Sequence, residues 1–340
     1  MIYVLILGGQ MDNLLNSGLQ IIQWIQSLGA WLTLIMKFFS FLGNTEFYLL
    51  VAPAILWCID AQLGLRMGLF LMINGMANTA LKVAFHGPRP YWYSNKVTVF
   101  GDAENSFGVP SGHAQNGVVV WGTLAERIKN RIAWIIAILV MFLIGISRIY
   151  LAVHFPHDVL LGWLFGAIML WLFLRLEKPV IRWLKQYQIG VQLFLIFLFS
   201  LFLILIVSLA QLTLSGWNIP IGWVNNAHLA FPNEAPINPL SYHNFLSSTG
   251  AFFGLAAGWI WISKLGGFST KDTWLKLVVR YILGVIGVLI LYIGLGKIFP
   301  KTETFIAYIL QYIRYALIGF WIAGLAPWLF VKSKLASHLK

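Results

Sequence analysis

Apolar runs long enough, or nearly long enough, to cross a bilayer follow one another from residue 45 onward, parted by short polar breaks. They fall at roughly 45–60, 63–86, 112–127, 131–153, 157–177, 188–214, 244–265, 274–299 and 303–331. A transmembrane helix needs about 18 or more apolar residues, so the short third run is expected to sit partly sunk among its neighbours. A segment in lipid must satisfy its own backbone hydrogen bonds. No alternating ten-residue pattern of a membrane barrel is present. The pattern therefore predicts an all-α, polytopic transmembrane helix bundle of about nine spans.

Three blocks follow from the same pattern. Residues 1–44 form an N-terminal segment in which 12–42 read as an amphipathic or partly embedded helix that breaks at Gly43-Asn44. The apolar stretch 1–9 lacks a basic leader and does not read as a signal peptide, and Met11 is an alternative start. Residues 45–186 form a core that holds every polar motif. Residues 187–340 add four spans and an outer loop, 216–243, rich in Pro, Asn and aromatics, which is either a lid or a plain connector. Gly254 and Gly258, four apart, predict a close helix contact.

Composition sharpens this picture. Of the 340 residues 59% are hydrophobic and 10% charged, against about 25% charged in a soluble domain, so most of the apolar surface must face lipid. The net charge of +12 comes from basic residues at the ends of apolar runs, which is a pattern of membrane topology and not a nucleic-acid footprint. Fifteen of the 23 basic residues, from Arg66 through Arg127–Arg131, Arg175–Lys185, Lys264–Arg280 and Lys332–Lys340, fall on one side. That side is expected to be cytoplasmic, with the N-terminus outside and the C-terminus inside. The single Cys58 excludes an internal disulfide and reads as a packing residue.

Three polar clusters interrupt the core block on the outer side. They are Lys82 with Arg89-Pro90, Pro110-Ser111-Gly112-His113, and Ser147-Arg148 with His154 and Asp158. A phosphate monoester carries up to two negative charges. A cation about 4 Å away contributes on the order of 4 kcal/mol at an effective dielectric near 20, before desolvation. Lys82, Arg89 and Arg148 can therefore cradle three phosphoryl oxygens, the arginines as planar forks. Phosphoryl transfer asks for little beyond such positioning, so no metal or cofactor is required. Asn74, Asn78 and Lys82 share one helix face, which in a membrane helix points into the bundle or a wet cavity; the alternative for Lys82 is a side chain that snorkels to the headgroups.

Ser111 and Gly112 stand where a helix begins, where free N–H groups and a hydroxyl make an anion seat. His113 at its rim suits proton transfer to a leaving oxygen. Asp158, four residues after His154, can accept the Nδ1 proton and leave Nε2 free to attack phosphorus. His86, His157, His228, His243 and His338 read as interfacial residues.

These positions, Lys-x6-Arg-Pro, Pro-Ser-Gly-His and Ser-Arg-x5-His-x3-Asp, resemble the signature of the type 2 phosphatidic acid phosphatase superfamily, with all eleven filled. The resemblance implies a phosphohistidine at His154, proton transfer by His113, orientation of His154 by Asp158, and phosphate contacts from Lys82, Arg89, Ser111, Gly112 and Arg148. It also implies metal-independent hydrolysis, no cofactor, and sensitivity to vanadate.

The wording from Leu81 to Trp92, the run from Ser147 to His157, the span layout and the length are similar to glucose-6-phosphatase. Asp158 instead follows the lipid enzymes. The leading expectation is a bilayer-embedded phosphatase of a lipid or isoprenyl phosphate or diphosphate, with no nucleic-acid partner. The alternative is a sugar-phosphate phosphatase. A transporter is the remote third reading, suggested by Arg314 within the ninth run and opposed by the absence of an inverted repeat.

Overall fold

The computed structural model describes residues 11–300 and 302–339, so the stretch 1–9 lies outside the described residues. Every regular element within them is helical. The helices are α1 (Met11–Gln26), α2 (Leu32–Phe41), α3 (Thr45–Cys58), α4 (Ala61–Phe85), α5 (Pro90–Tyr93), α6 (Gly112–Ile128), α7 (Arg131–Tyr150), α8 (Pro156–Leu184), α9 (Ile189–Leu212), α10 (Ile221–Ala230) and α11 (His243–Lys264). Two more, α12 (Trp274–Ile298) and α13 (Phe305–Lys332), each contain a π-helical turn, at Ile290–Gly294 and Trp321–Leu325.

Among the described residues, seven helices are long and apolar enough to cross a membrane. The nine-run expectation also counted α3 and α6, which have 14 and 17 residues. At 1.5 Å per residue they reach about 21 and 26 Å, short of a hydrocarbon layer about 30 Å thick. Local sequence fixes the length of α6. Ser111 caps its start, accepting from the Ala114 N–H, and Lys129 ends it in the left-handed region at φ 59°. Asn130 then caps α7 through the Ala133 N–H at 2.9 Å.

The expected single helix over 12–42 is two helices. Gly29, at φ 121°, takes a conformation that a side chain resists, and the chain turns there. The amphipathic reading of its first half holds: Leu15, Leu19 and Ile22 are buried on one face. The break at Gly43-Asn44 is present.

The chain packs as two compact units. Of the described residues, the first comprises 11–44, 77–171 and 206–240, and the second 45–76, 172–205, 241–300 and 302–339. In the first, α6 packs along α7, α2 lies against α7, and α10 covers α5. The segment read as a lid or connector is docked there: Trp223 meets Trp92 at 6.3 Å, Phe231 meets Tyr91 at 5.4 Å, and Asn226 donates to the Trp92 carbonyl at 3.0 Å.

In the second unit α11 and α13 form the tightest seam. Gly250, Gly254 and Gly258 lie against the backbone of Tyr312, Ala316 and Phe320. A Cβ at Gly254 would strike the Ala316 carbonyl, so the small-residue pair does mark a close contact. Gly254→Val should cost about 1–3 kcal/mol through overpacking, read as a lowered melting temperature in detergent. An unchanged melt would contradict the seam. Arg314 is held within this unit, over the Tyr292 ring at 4.7 Å and donating to the Tyr292 carbonyl. The π turn at 290–294 departs from the i−4 hydrogen-bonding pattern, which suits a carbonyl being given to this guanidinium.

Candidate active site

Four helix ends converge in the first unit. Lys82 stands in the last turn of α4, Arg89 caps α5, Ser111 caps α6, and Arg148 is in the last turn of α7. Pro90 ends any continuation of α4, and Arg89 before it is extended at φ −87° and ψ 159°. After α7 the chain makes a tight turn in which Ala152 is left-handed, and the Val153 and His154 N–H groups fold back onto the Arg148 carbonyl at 3.2 and 3.3 Å. That turn delivers His154 just before Pro156 opens α8, with Asp158 in its first turn.

Arg89 is the hub, with its side chain fully buried. Its Nε donates to the Ser106 carbonyl at 2.7 Å, and its Nη1 to the Val153 carbonyl at 3.0 Å. The same Nη1 lies 3.2 Å from His154 Nε2. A guanidinium only donates, so Nε2 must present its lone pair. The ring proton is then on Nδ1, which donates to Asp158 Oδ2 at 3.1 Å. Oδ2 also accepts the Phe155 N–H at 2.9 Å, and His157 Nε2 lies 3.2 Å from Oδ1. Burial first, and then the positive charges of Arg89, Lys82 and Arg148, hold the His154 imidazole well below the ordinary histidine value. The ring is neutral at pH 7, the form with a nucleophilic nitrogen.

Lys82 Nζ donates to the Phe107 carbonyl, which Arg89 Nη2 also reaches at 3.4 Å. Asn74, Asn78 and Lys82 are all buried, as their shared face predicts. Asn78 donates to Gln115 Oε1 at 2.8 Å and to the Pro110 carbonyl at 3.3 Å, pinning the turn that carries Ser111 and Gly112. The Ser111 N–H is taken by the Asp158 carbonyl at 2.9 Å, which ties α6 to α8. That N–H therefore does not belong to an anion seat. The Ser111 hydroxyl accepts from Ala114 and keeps its own proton for another acceptor. Ser147 turns back into its helix, donating to the Ile144 carbonyl at 2.6 Å.

Four residues near these groups have no role in the site in the sequence reading. Asn44 Oδ1 sits 3.0 Å from His113 Nε2, which fixes the ring proton on that nitrogen. A Cβ at Gly43 would strike the Ile144 side chain and press on His113, so this corner favours glycine. Ser40 accepts from Arg148 Nη1. His157, read as interfacial, stacks on Phe155 at 5.3 Å beside Asp158.

The fourth is Glu104, whose carboxylate joins Arg148 Nη2 at 2.6 Å and Arg89 Nη2 at 3.2 Å. Burial opposes its charge, but Arg89 and Arg148, with His113 and Lys82 behind them, outweigh burial and hold the carboxyl far below the usual carboxylate range. The sequence signal was faint: acids are few in this chain, 11 in all, and this one lies in a loop between two cationic motifs. The site as a whole presents three buried cations, a neutral imidazole with a fixed tautomer, and a carboxylate where an oxyanion fits.

Comparisons with known proteins give the chain's relatives. The PAP2 superfamily family model matches residues 63–182, and the model described as PAP2 superfamily phosphatase, transmembrane extension, matches 246–338. The chain is similar to glucose-6-phosphatase 3 of Bos taurus, 24% identical over 94% of this chain and 96% of that protein. It is similar to undecaprenyl-diphosphatase of Sulfolobus acidocaldarius, 26% identical over 52% of this chain and 85% of that one. Among solved structures it resembles a transmembrane PAP2 type phosphatidylglycerolphosphate phosphatase from Bacillus subtilis. That match has a TM-score of 0.40 and 25% identity, and covers 48% of this chain and 88% of the other.

Proposed function

Because the chain belongs to the PAP2 superfamily and is an integral-membrane phosphatase of phosphate esters, we propose that it works through a phosphohistidine at His154. The observation that carries this is the Arg89–His154–Asp158 line, in which the carboxylate takes the Nδ1 proton and the guanidinium faces the Nε2 lone pair, which becomes the nucleophile when a phosphoryl group draws the guanidinium to itself.

In the first step Nε2 attacks phosphorus and the P–O ester bond breaks. Lys82, Arg89 and Arg148 hold the three non-bridging oxygens, with Ser111 and Gly112 at the helix start. His113 gives a proton to the leaving oxygen. Its Nε2–H is committed to Asn44, so Nδ1 is the nitrogen that gains and loses the proton. Asp158 stabilises the positive charge that grows on His154. In the second step water attacks phosphorus, His113 takes its proton, the N–P bond breaks, and orthophosphate leaves.

The substrate is a phosphomonoester of a small hydroxylated alcohol, such as a sugar phosphate. Support comes from similarity to a glucose-6-phosphatase over nearly the whole of both chains, whereas the undecaprenyl-diphosphatase pairs with about half of this one. The lipid or isoprenyl phosphate expected from the sequence is the second reading. The acid at Asp158, bonded to the nucleophile, favours it. The core of the enzyme is 45–186, supported by the family match within it. Its site faces the outer side, with the N-terminus outside and the C-terminus cytoplasmic, supported by the basic residues that flank the opposite helix ends.

The test is trapping. Purified protein in excess EDTA, quenched during turnover of a 32P-labelled monoester, should hold an acid-labile, alkali-stable label. A strict requirement for a divalent metal, or a label stable in acid, would reject the mechanism.

A further inference from the structure

The cations assigned to the phosphate are not vacant. Both carboxylate oxygens of Glu104 are engaged, Oε1 by Arg148 Nη2 at 2.6 Å and Oε2 by Arg89 Nη2 at 3.2 Å. Two oxygens on one carbon, each gripped by a different guanidinium, reproduce the way two oxygens of a phosphoryl group would be gripped. The remaining donors of Arg89 reach the Ser106, Phe107 and Val153 carbonyls, the Ser106 hydroxyl and His154; Arg148 gives Nη1 to Ser40, and its Nε, without a partner among the described residues, is buried away from any exposed approach. A phosphate held by these two arginines therefore has to take the place of Glu104.

Exposure shows which way the carboxylate can go. The Arg89 side chain is 0% exposed and that of Arg148 6%, whereas that of Glu104 is 26%. Glu104 thus stands between the buried cations and solvent. Its backbone is fixed on both sides. The Tyr91 hydroxyl accepts its N–H at 3.0 Å and donates to its carbonyl at 3.2 Å, and the neighbouring Asn105 side chain accepts the Asn238 N–H from the segment that covers α5. The side chain can rotate while its Cα stays anchored, so a displaced carboxylate remains within a side chain's length of the seat.

We propose that Glu104 holds the phosphate seat in the substrate-free enzyme and, turned to the mouth by the incoming phosphoryl group, selects monoesters of hydroxylated alcohols over diphosphates. At the mouth its negative charge faces whatever is esterified to the phosphate. A hydroxylated alcohol donates hydrogen bonds to it. The second phosphoryl group of a diphosphate brings like charge to the same place. A carboxylate at the mouth has water around it and is ionised across the neutral range, so that charge stays present after the turn. The proposal rests on the phosphate seat of the preceding section and names the substrate class that this seat admits.

Two variants test it in the full-length protein. Glu104→Gln keeps the shape and removes the charge. It should bind orthophosphate about tenfold more tightly or better by calorimetric titration, and raise the ratio of kcat/KM for geranyl diphosphate over glucose 6-phosphate by about tenfold. Glu104→Asp, shorter by one methylene, should also bind orthophosphate more tightly but keep the wild-type substrate ratio, because the charge stays at the mouth. If Glu104 only pins the arginines, Glu104→Gln will bind orthophosphate no better or more weakly, and the proposal falls. An unchanged substrate ratio in Glu104→Gln overturns it as well. A wild-type protein that hydrolyses monoesters and forms the histidine label while Glu104→Gln fails these tests sinks this inference alone. A wild-type protein that does neither sinks the phosphatase mechanism and this inference together.

Discussion

His154→Ala should lower kcat by about 10⁴-fold or more and abolish the phosphoenzyme label, because it removes the atom that forms the covalent bond in the proposed mechanism. No neighbour can take over. Asp158 lies behind the ring, with Oδ2 on Nδ1 and on the Phe155 N–H. His157 faces Asp158 Oδ1. His113 is tethered to Asn44 and should remain able to protonate a leaving group that nothing attacks. The check is steady-state release of phosphate beside single-turnover labelling. Residual turnover above about 1% of wild type, with a label still acid-labile, would move the nucleophile elsewhere. A melting curve belongs with it, since His154 is almost fully buried and its loss leaves the Asp158 carboxylate one partner short.

Arg89→Lys should cut kcat/KM by about 10²- to 10⁴-fold, equivalent to about 3–5 kcal/mol of lost transition-state stabilisation. The substitution keeps one positive charge and loses the planar fork. That fork spans the Ser106 and Val153 carbonyls, the Glu104 carboxylate and His154 Nε2 from one buried position. An ammonium reaches one or two of these at a time. It neither holds the imidazole lone pair in line nor grips two phosphoryl oxygens at once. The loss should fall mainly on kcat, because charge on the transferring group grows between ground and transition state. A variant that raises KM tenfold with kcat unchanged would instead make Arg89 a simple anchor for bound substrate.

The motif residues were legible because chemistry restricts them to a few types at set spacings. Lys82, Arg89, Arg148, His154 and Asp158 do meet, each at a helix end, although up to 76 positions separate them along the chain. Asn78 was legible through the stripe it shares with Lys82. The supports were not. Ser40 and Asn44 reach the site from the corner after α2, a contact that no local pattern encodes. Glu104 sits in an irregular loop, where neither a 3.6 nor a 2.0 periodicity assigns a face. His157 looked interfacial because its partner, Asp158, was already given to His154. The Ser111 N–H was read as part of an anion seat, and the packing of α6 on α8 assigns it to the Asp158 carbonyl.

Composition and periodicity by themselves decided that this chain is an all-helical membrane protein, and motif spacing decided that its polar residues suit phosphoryl transfer. Both are properties of residue type and interval, which need no contact to be read. Tertiary structure alone decided which span candidates form helices long enough to cross, that the stretch 206–240 packs with the site, and that Glu104 bridges Arg89 and Arg148. Those depend on which surfaces remain once helices have packed. A buried arginine takes whatever acceptor the fold brings within reach, however distant in sequence.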